Sequence, residues 1–147
     1  MKHILSLDLG TTNVRAVLFD EAMRPVSTDE MEMSIFYPKS GWVEQDPIEM
    51  ITKQLEVAKR VVDKSKVSEA SIAGIGITNQ RETTILWNRY TGKPIGNAIV
   101  WQDRRTAAMC EKISKADHAK FIYDSTGLVL DPYFSASKIS WLMRNTP

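Results

Sequence analysis

Four short stretches of this sequence carry residue types able to bind a charged or hydroxylated ligand. The first is Asp8-Leu9-Gly10-Thr11-Thr12-Asn13-Val14-Arg15. Gly10 lets a backbone approach a ligand closely and can take a positive φ. The hydroxyls of Thr11 and Thr12, with the N–H groups of a turn, can point at a phosphate. Asp8 is a carboxylate able to hold Mg²⁺ through water, and Arg15 can neutralise phosphate charge. Read alone, the stretch is equally an ordinary hairpin whose hydroxyls satisfy their own backbone.

The second stretch, Gln80-Arg81-Glu82, follows an apolar run. Ligands of parallel α/β sheets collect beyond the carboxyl ends of strands. A neutral polyol needs donors and acceptors together, and adjacent Arg81 and Glu82 supply both. A surface salt bridge on a turn is the competing reading. The third, Trp101-Gln102-Asp103-Arg104-Arg105, offers an indole that can wall the carbon face of a small substrate. It also reads as a core tryptophan before a helix start capped by Asp103 and followed by exposed arginines. In the fourth, Asp131-Pro132-Tyr133-Phe134, Pro132 stiffens a loop on which Tyr133 presents its hydroxyl, or packs as a half-buried structural ring. Cys110 sits in a helical pattern with no base near it in sequence, so it reads as packing. His3 and His118 have no company of ligand type, and neither is assigned to a metal.

These stretches need elements to position them. Residues 3–8 and 14–20 are apolar and β-rich around Gly10-Thr11-Thr12-Asn13, which predicts two strands and a tight turn. A third strand is expected near 26–36, then a loop over 37–45. Asp46-Pro47-Ile48-Glu49 signals a helix, with Asp46 as cap, Pro47 at the first position and Glu49 completing a capping box. Ile48, Ile51, Leu55, Ala58 and Val62 recur at steps of three and four, predicting the face that packs inward. The run 71–78 suits a buried strand, and 83–87 and 98–101 two more. Helices are expected over about 104–114, 117–124 and 135–144. The resulting class is α/β, a mixed sheet flanked by helices.

Bulk properties bound the function. The chain of 147 residues fits one domain, and 43% hydrophobic residues furnish a core. Lys and Arg number 19 against 18 Asp and Glu, for a net charge of +1, which gives nucleic-acid binding little support. No apolar run approaches the roughly 18–20 residues of a membrane span. Asp8 interrupts the only apolar stretch of the amino terminus, arguing against a signal peptide. One cysteine excludes an internal disulfide and suits a reducing cytosol. A cytoplasmic domain is expected.

The motifs then stop being independent. Asp8-x-Gly10-Thr11-Thr12, Gly41-Trp42-Val43-Glu44-x-Asp46-Pro47, Gly76 to Thr84 (GITNQRETT), Thr91-Gly92-Lys93-Pro94-Ile95, Val100 to Thr106 (VWQDRRT) and Thr126 to Phe134 (TGLVLDPYF) occur in one order. In that order they resemble the glycerol kinases of the FGGY carbohydrate kinase family, from Asp8 to Trp141. The resemblance implies an actin and sugar-kinase ATPase fold of ribonuclease H-like type, with residues 1–147 as an incomplete first domain of two. It implies ATP-dependent phosphorylation of glycerol to glycerol 3-phosphate by the intact enzyme. By the resemblance, Thr11, Thr12, Asn13 and Arg15 contact ATP or ADP, and Thr11 also the phosphorylated product. Asp8 sits near Mg²⁺; Arg81, Glu82 and Tyr133 bind the glycerol hydroxyls; Trp101 packs on its carbons. The general-base Asp belongs to the second domain, so no residue here is assigned as catalytic, and these residues alone are expected to be inactive. Glycerol and ATP are the expected partners, with a homo-oligomer for the full-length enzyme. Leu9 replaces a usual Gln, and Asn13-Val14 a small Ser pair, which points to altered nucleotide contacts. A kinase for another small polyol or triose, or a non-catalytic polyol-binding module, are the alternatives.

Overall fold

The computed structural model describes residues 1–115 and 118–146. Along them run β1 (His3–Leu9), β2 (Asn13–Phe19), β3 (Pro25–Glu32), β4 (Glu44–Gln45), α1 (Pro47–Ser65), β5 (Ile72–Thr78), β6 (Ala98–Ile99), α2 (Ala107–Lys115), α3 (His118–Thr126) and α4 (Ser135–Asn145). The expected start of α3 at Asp117 lies outside the described residues. No helix among them is long and apolar enough to cross a membrane. The chain divides into two units, Met1–Ser34 with Asp46–Gln80, and Ile35–Gln45 with Arg81–Pro147.

The first unit is a four-stranded mixed sheet, ordered β3-β2-β1-β5, under one helix. β1 and β2 close the expected hairpin, pairing antiparallel from Ile4↔Phe19 to Leu9↔Val14. β3 adds antiparallel to β2 and β5 parallel to β1. Alternation puts Leu5, Val14, Ala16 and Leu18 on one face, all buried. α1 lies across that face against β2 and β3. Its start follows the sequence: Asp46 caps, accepting from the Ile48 N–H at 2.8 Å, and Pro47 follows. Glu49 does not close a capping box. Its Oε1 instead takes the N–H and Oγ of Ser34, at 3.2 and 2.9 Å, and the Lys53 ammonium.

The buried face of α1 differs from the expected one. Met50, Gln54, Val57 and Val61 turn inward, whereas Ile48, Ile51 and Leu55 are more than half exposed. The inward row contains a glutamine, whose Nε2 donates to the Arg15 carbonyl at 3.1 Å while its Oε1 is buried without a partner among the described residues. β5 also departs from expectation. It is an open edge rather than a buried strand, with Ile75 60% and Ile77 76% exposed.

The second unit is held by short pairings. β4 pairs with β6, joined by isolated bridges Phe36↔Glu44, Thr84↔Ile99 and Trp87↔Pro94. The strand expected over 83–87 is thus reduced to single bridges, and that over 98–101 to Ala98–Ile99. The Asn88 carboxamide takes the N–H groups of Tyr90 and Thr91 and turns the chain between them. α2 starts at Ala107, later than expected, after a turn in which the Arg104 N–H bonds the Gly41 carbonyl at 2.7 Å. Cys110 is buried in α2 as packing.

Arg105 organises this unit and is buried, against the expectation of exposed arginines. Its side chain is 2% exposed and bonds Asp103 through Nε (3.0 Å) and Nη2 (2.8 Å), and Glu44 through Nη2 (2.7 Å). The guanidinium lies 3.8 Å from the Trp42 ring centroid and 4.8 Å from that of Trp141. Asp103, fully buried, also accepts the Val43 N–H at 2.7 Å. Arg104 does point outward, to an exposed pair with Asp131.

Candidate functional site

In the first unit the β1–β2 turn gathers Thr11, Thr12 and Asn13 between Asp8 and Arg15. Gly10 is required here for space, not for a positive φ. A Cβ on it would stand 2.6 Å from the Asn13 carbonyl oxygen, and its φ is not among the positive ones. The turn is tied down from two sides. The Gln80 side-chain amide donates to the Gly10 carbonyl at 2.9 Å, and the Met33 N–H to the Thr12 carbonyl at 2.7 Å. Gln80 is buried, so its place in the sequence beside Arg81 hid a bracing role for the turn.

Asp8 and Arg15 are exposed register partners across the hairpin, on the face opposite the buried Val14 and Ala16. In the same row stand Glu30 on β3 and Thr78 on β5. Arg15 pairs with Glu30, Nε and Nη2 at 3.0 and 2.9 Å, with both side chains about half exposed. Such a pair is worth about 0–1 kcal/mol, so a phosphate can compete for the guanidinium. Asp8 is one accessible carboxylate at a strand end. Mg²⁺ is commonly held by one or two carboxylates with phosphate oxygens and water, so this donor suits it.

In the second unit, three expected residues come together at the start of α4. Glu82 has a φ of +66°, a left-handed conformation costly for a residue with a Cβ. Its Oε2 accepts from the Ser135 N–H at 2.8 Å and the Ser135 Oγ at 2.7 Å. Ser135 opens α4, so the carboxylate satisfies an orphan N–H where the helix dipole favours an anion. Both donors use the same oxygen, which leaves Oε1 to accept from a hydroxyl.

Two residues earlier, Tyr133 packs edge-on against Trp101, ring centroids 6.0 Å apart at 74°, and against Phe134 at 5.1 Å and 87°. The Asp131 side chain shapes this turn by accepting the Tyr133 N–H at 2.8 Å. Trp101 is half-buried, and its backbone N–H reaches the Thr83 Oγ1 at 3.2 Å. Arg81 is exposed beside Glu82, with no ion pair among the described residues. A carboxylate oxygen, an aromatic corner and an adjacent cation can engage a small molecule having hydroxyls on one side and carbon on the other.

Sequence reasoning missed Ser135 and Lys138. The Lys138 side chain is fully buried, with its ammonium on the Pro132 carbonyl at 3.2 Å and on the Tyr133 carbonyl. Burial pushes its pKa down, while Glu82, Asp103 and Asp131 pull it back up. No signal in the sequence marked it, because both partner carbonyls are backbone groups brought to it by the fold.

Residues 3–147 match the amino-terminal domain of the FGGY family of carbohydrate kinases. Glycerol kinase 2 of Thermotoga maritima is 51% identical over 145 residues, covering 99% of this chain and 29% of that protein. The crystal structure of Plasmodium falciparum glycerol kinase with ADP superposes with a TM-score of 0.92 at 39% identity, over 100% of this chain and 29% of that one. A xylulose kinase from Lactobacillus acidophilus, at 24% identity and a TM-score of 0.89 over 99% of this chain and 29% of its own, shares the fold. This is the first-domain fold of sugar-kinase ATPases. The chain spans about 29% of the length of the relatives it matches.

Proposed function

We propose a polyol kinase function from one premise: the chain belongs to the FGGY family of carbohydrate kinases. Residues 1–147 form the amino-terminal part of an enzyme that transfers the γ-phosphoryl of ATP to a terminal hydroxyl of glycerol, giving glycerol 3-phosphate. The observation that carries the substrate is the meeting of Glu82, Trp101 and Tyr133 around the first turn of α4. Glu82 accepts from glycerol hydroxyls through Oε1, Arg81 donates to them, Tyr133 offers its phenol, and Trp101 covers the carbons. Polar partners matched to hydroxyls in this way disfavour analogues that lack them.

On the nucleotide side, the N–H groups and hydroxyls of Thr11, Thr12 and Asn13 receive phosphate oxygens. Thr11 stays with the phosphorylated product, and Arg15 turns from Glu30 to the phosphates. Asp8 would hold Mg²⁺ through water, and the ion would neutralise phosphate charge. Phosphoryl transfer is mostly positioning and charge stabilisation, the work these residues are suited to. The base that takes the hydroxyl proton is, on the family resemblance, a carboxylate outside residues 1–147 that must come within hydrogen-bond reach of that proton. The intact enzyme is a cytoplasmic homo-oligomer.

Calorimetric titration of glycerol into the chain and its Arg81→Ala variant tests the reading. Saturable binding that weakens at least about tenfold in the variant is expected for a charged donor. Equal affinity in both proteins, or tighter binding of an apolar diol lacking the central hydroxyl, sinks it.

A further inference from the structure

We infer that Ser135 and Lys138 are positioning residues: from one turn of α4 they fix the Glu82 carboxylate and the Tyr133 backbone without touching the ligand. The inference rests on the polyol reading above. Positions three apart lie on one face of a helix, so both side chains leave α4 in the same direction. Ser135 donates twice to Glu82 Oε2, at 2.8 and 2.7 Å, and so holds a carboxylate whose own backbone is left-handed. Without that tie, the turn at Glu82 relaxes toward an ordinary φ and carries the carboxylate away.

Lys138 does the matching work on the other side. An ammonium in the interior is costly unless its donors are used. Here they go to two successive carbonyls, Pro132 and Tyr133, the backbone that aims the Tyr133 ring at Trp101. A hydrocarbon side chain fills the same space but cannot hold two carbonyls. Arginine brings a rigid planar fork instead of a compact tetrahedral donor, so it is a poor replacement. The charges of Glu82, Asp103 and Asp131 favour the charged ammonium against the cost of its burial.

The test uses the whole chain, in solution, as wild type, Lys138→Met, Ser135→Ala and Ser135→Thr. Three readouts by nuclear magnetic resonance are followed: the Overhauser contact between the Trp101 and Tyr133 rings, the Glu82 carboxyl shift, and glycerol affinity. Lys138→Met is expected to lose the ring contact and at least about tenfold in affinity, with hairpin amides unmoved. Ser135→Ala is expected to shift the Glu82 carboxyl and weaken binding while keeping the ring contact, and Ser135→Thr to restore both. Unchanged rings, carboxyl and affinity in the Met and Ala variants overturn the inference. A wild type with the ring contact but no response to glycerol overturns the polyol reading instead, and the first two readouts still decide the positioning roles. Should Lys138→Met unfold, the Ser135 pair decides through the carboxyl shift.

Discussion

Removing the Arg105 guanidinium should bring the second unit close to unfolding. Its side chain is 2% exposed and pairs with Asp103, which is fully buried, and Glu44, which is 14% exposed. Arg105→Ala strands both carboxylates, and breaking a buried pair from one side costs about 3–5 kcal/mol. The stack between Trp42 and Trp141, at 3.8 and 4.8 Å, adds about 1 kcal/mol or more for a desolvated cation. The sum, about 4–6 kcal/mol, rivals the whole stability of a small domain, about 5–15 kcal/mol. Arg105→Lys keeps the charge but loses the fork and the flat stacking surface, and should cost about 1.5–3 kcal/mol. Urea titration followed by tryptophan fluorescence reads this unit selectively, because Trp42, Trp87, Trp101 and Trp141 all belong to it. A loss under about 1 kcal/mol for the alanine variant, the worth of an exposed pair, would refute the reasoning.

Three further outcomes are expected. Gly10→Ala places a methyl 2.6 Å from the Asn13 carbonyl oxygen and should cost about 1–3 kcal/mol, with amide shifts confined to the β1–β2 turn; an unchanged melting temperature contradicts this. Arg15→Gln should alter stability by less than about 1 kcal/mol yet lower ATP affinity, and equal nucleotide binding removes Arg15 from the phosphate site. Acid should weaken the first unit. The Arg24 N–H lowers the pKa of Asp20 from its ordinary 3.8, Lys64 that of Asp29 from 3.8, and Lys53 that of Glu49 from 4.5. Folded values below unfolded ones give stability that is present above about pH 4.5 and lost as pH falls through the lowered values. Amide signals of β2 followed against pH should fade first below that point, and a stability curve flat down to pH 2 argues otherwise.

Elements governed by neighbours in sequence were legible. Asp46 before Pro47 marks the start of α1, and two apolar runs around Gly10 mark the hairpin. Features set by distant partners were not. Periodicity chose the Ile48, Ile51, Leu55 stripe because it is the more apolar one, but the inward row includes Gln54, whose amide finds a carbonyl on β2. The composition of β5 suggests burial on both faces, as in parallel sheets, yet in this chain nothing flanks its outer edge among the described residues. Arg105 looked exposed because its two tryptophans lie far away in sequence. Of the site, Glu82, Trp101 and Tyr133 were legible as residue types, while the scaffold behind them, Ser135 and Lys138, shows only in three dimensions.

The bare flank of β5 bears on handling as much as on fold. Guarded edge strands carry a lysine, a proline or a bulge to repel other chains. Ile72–Thr78 holds no charge and no proline, and Ile75 and Ile77 stand clear in water on one of its faces. Concentrated solutions of this polypeptide should therefore thicken into β-rich aggregates. One lysine in place of Ile77 should clear them while the hairpin on the other side of β1 stays as it is.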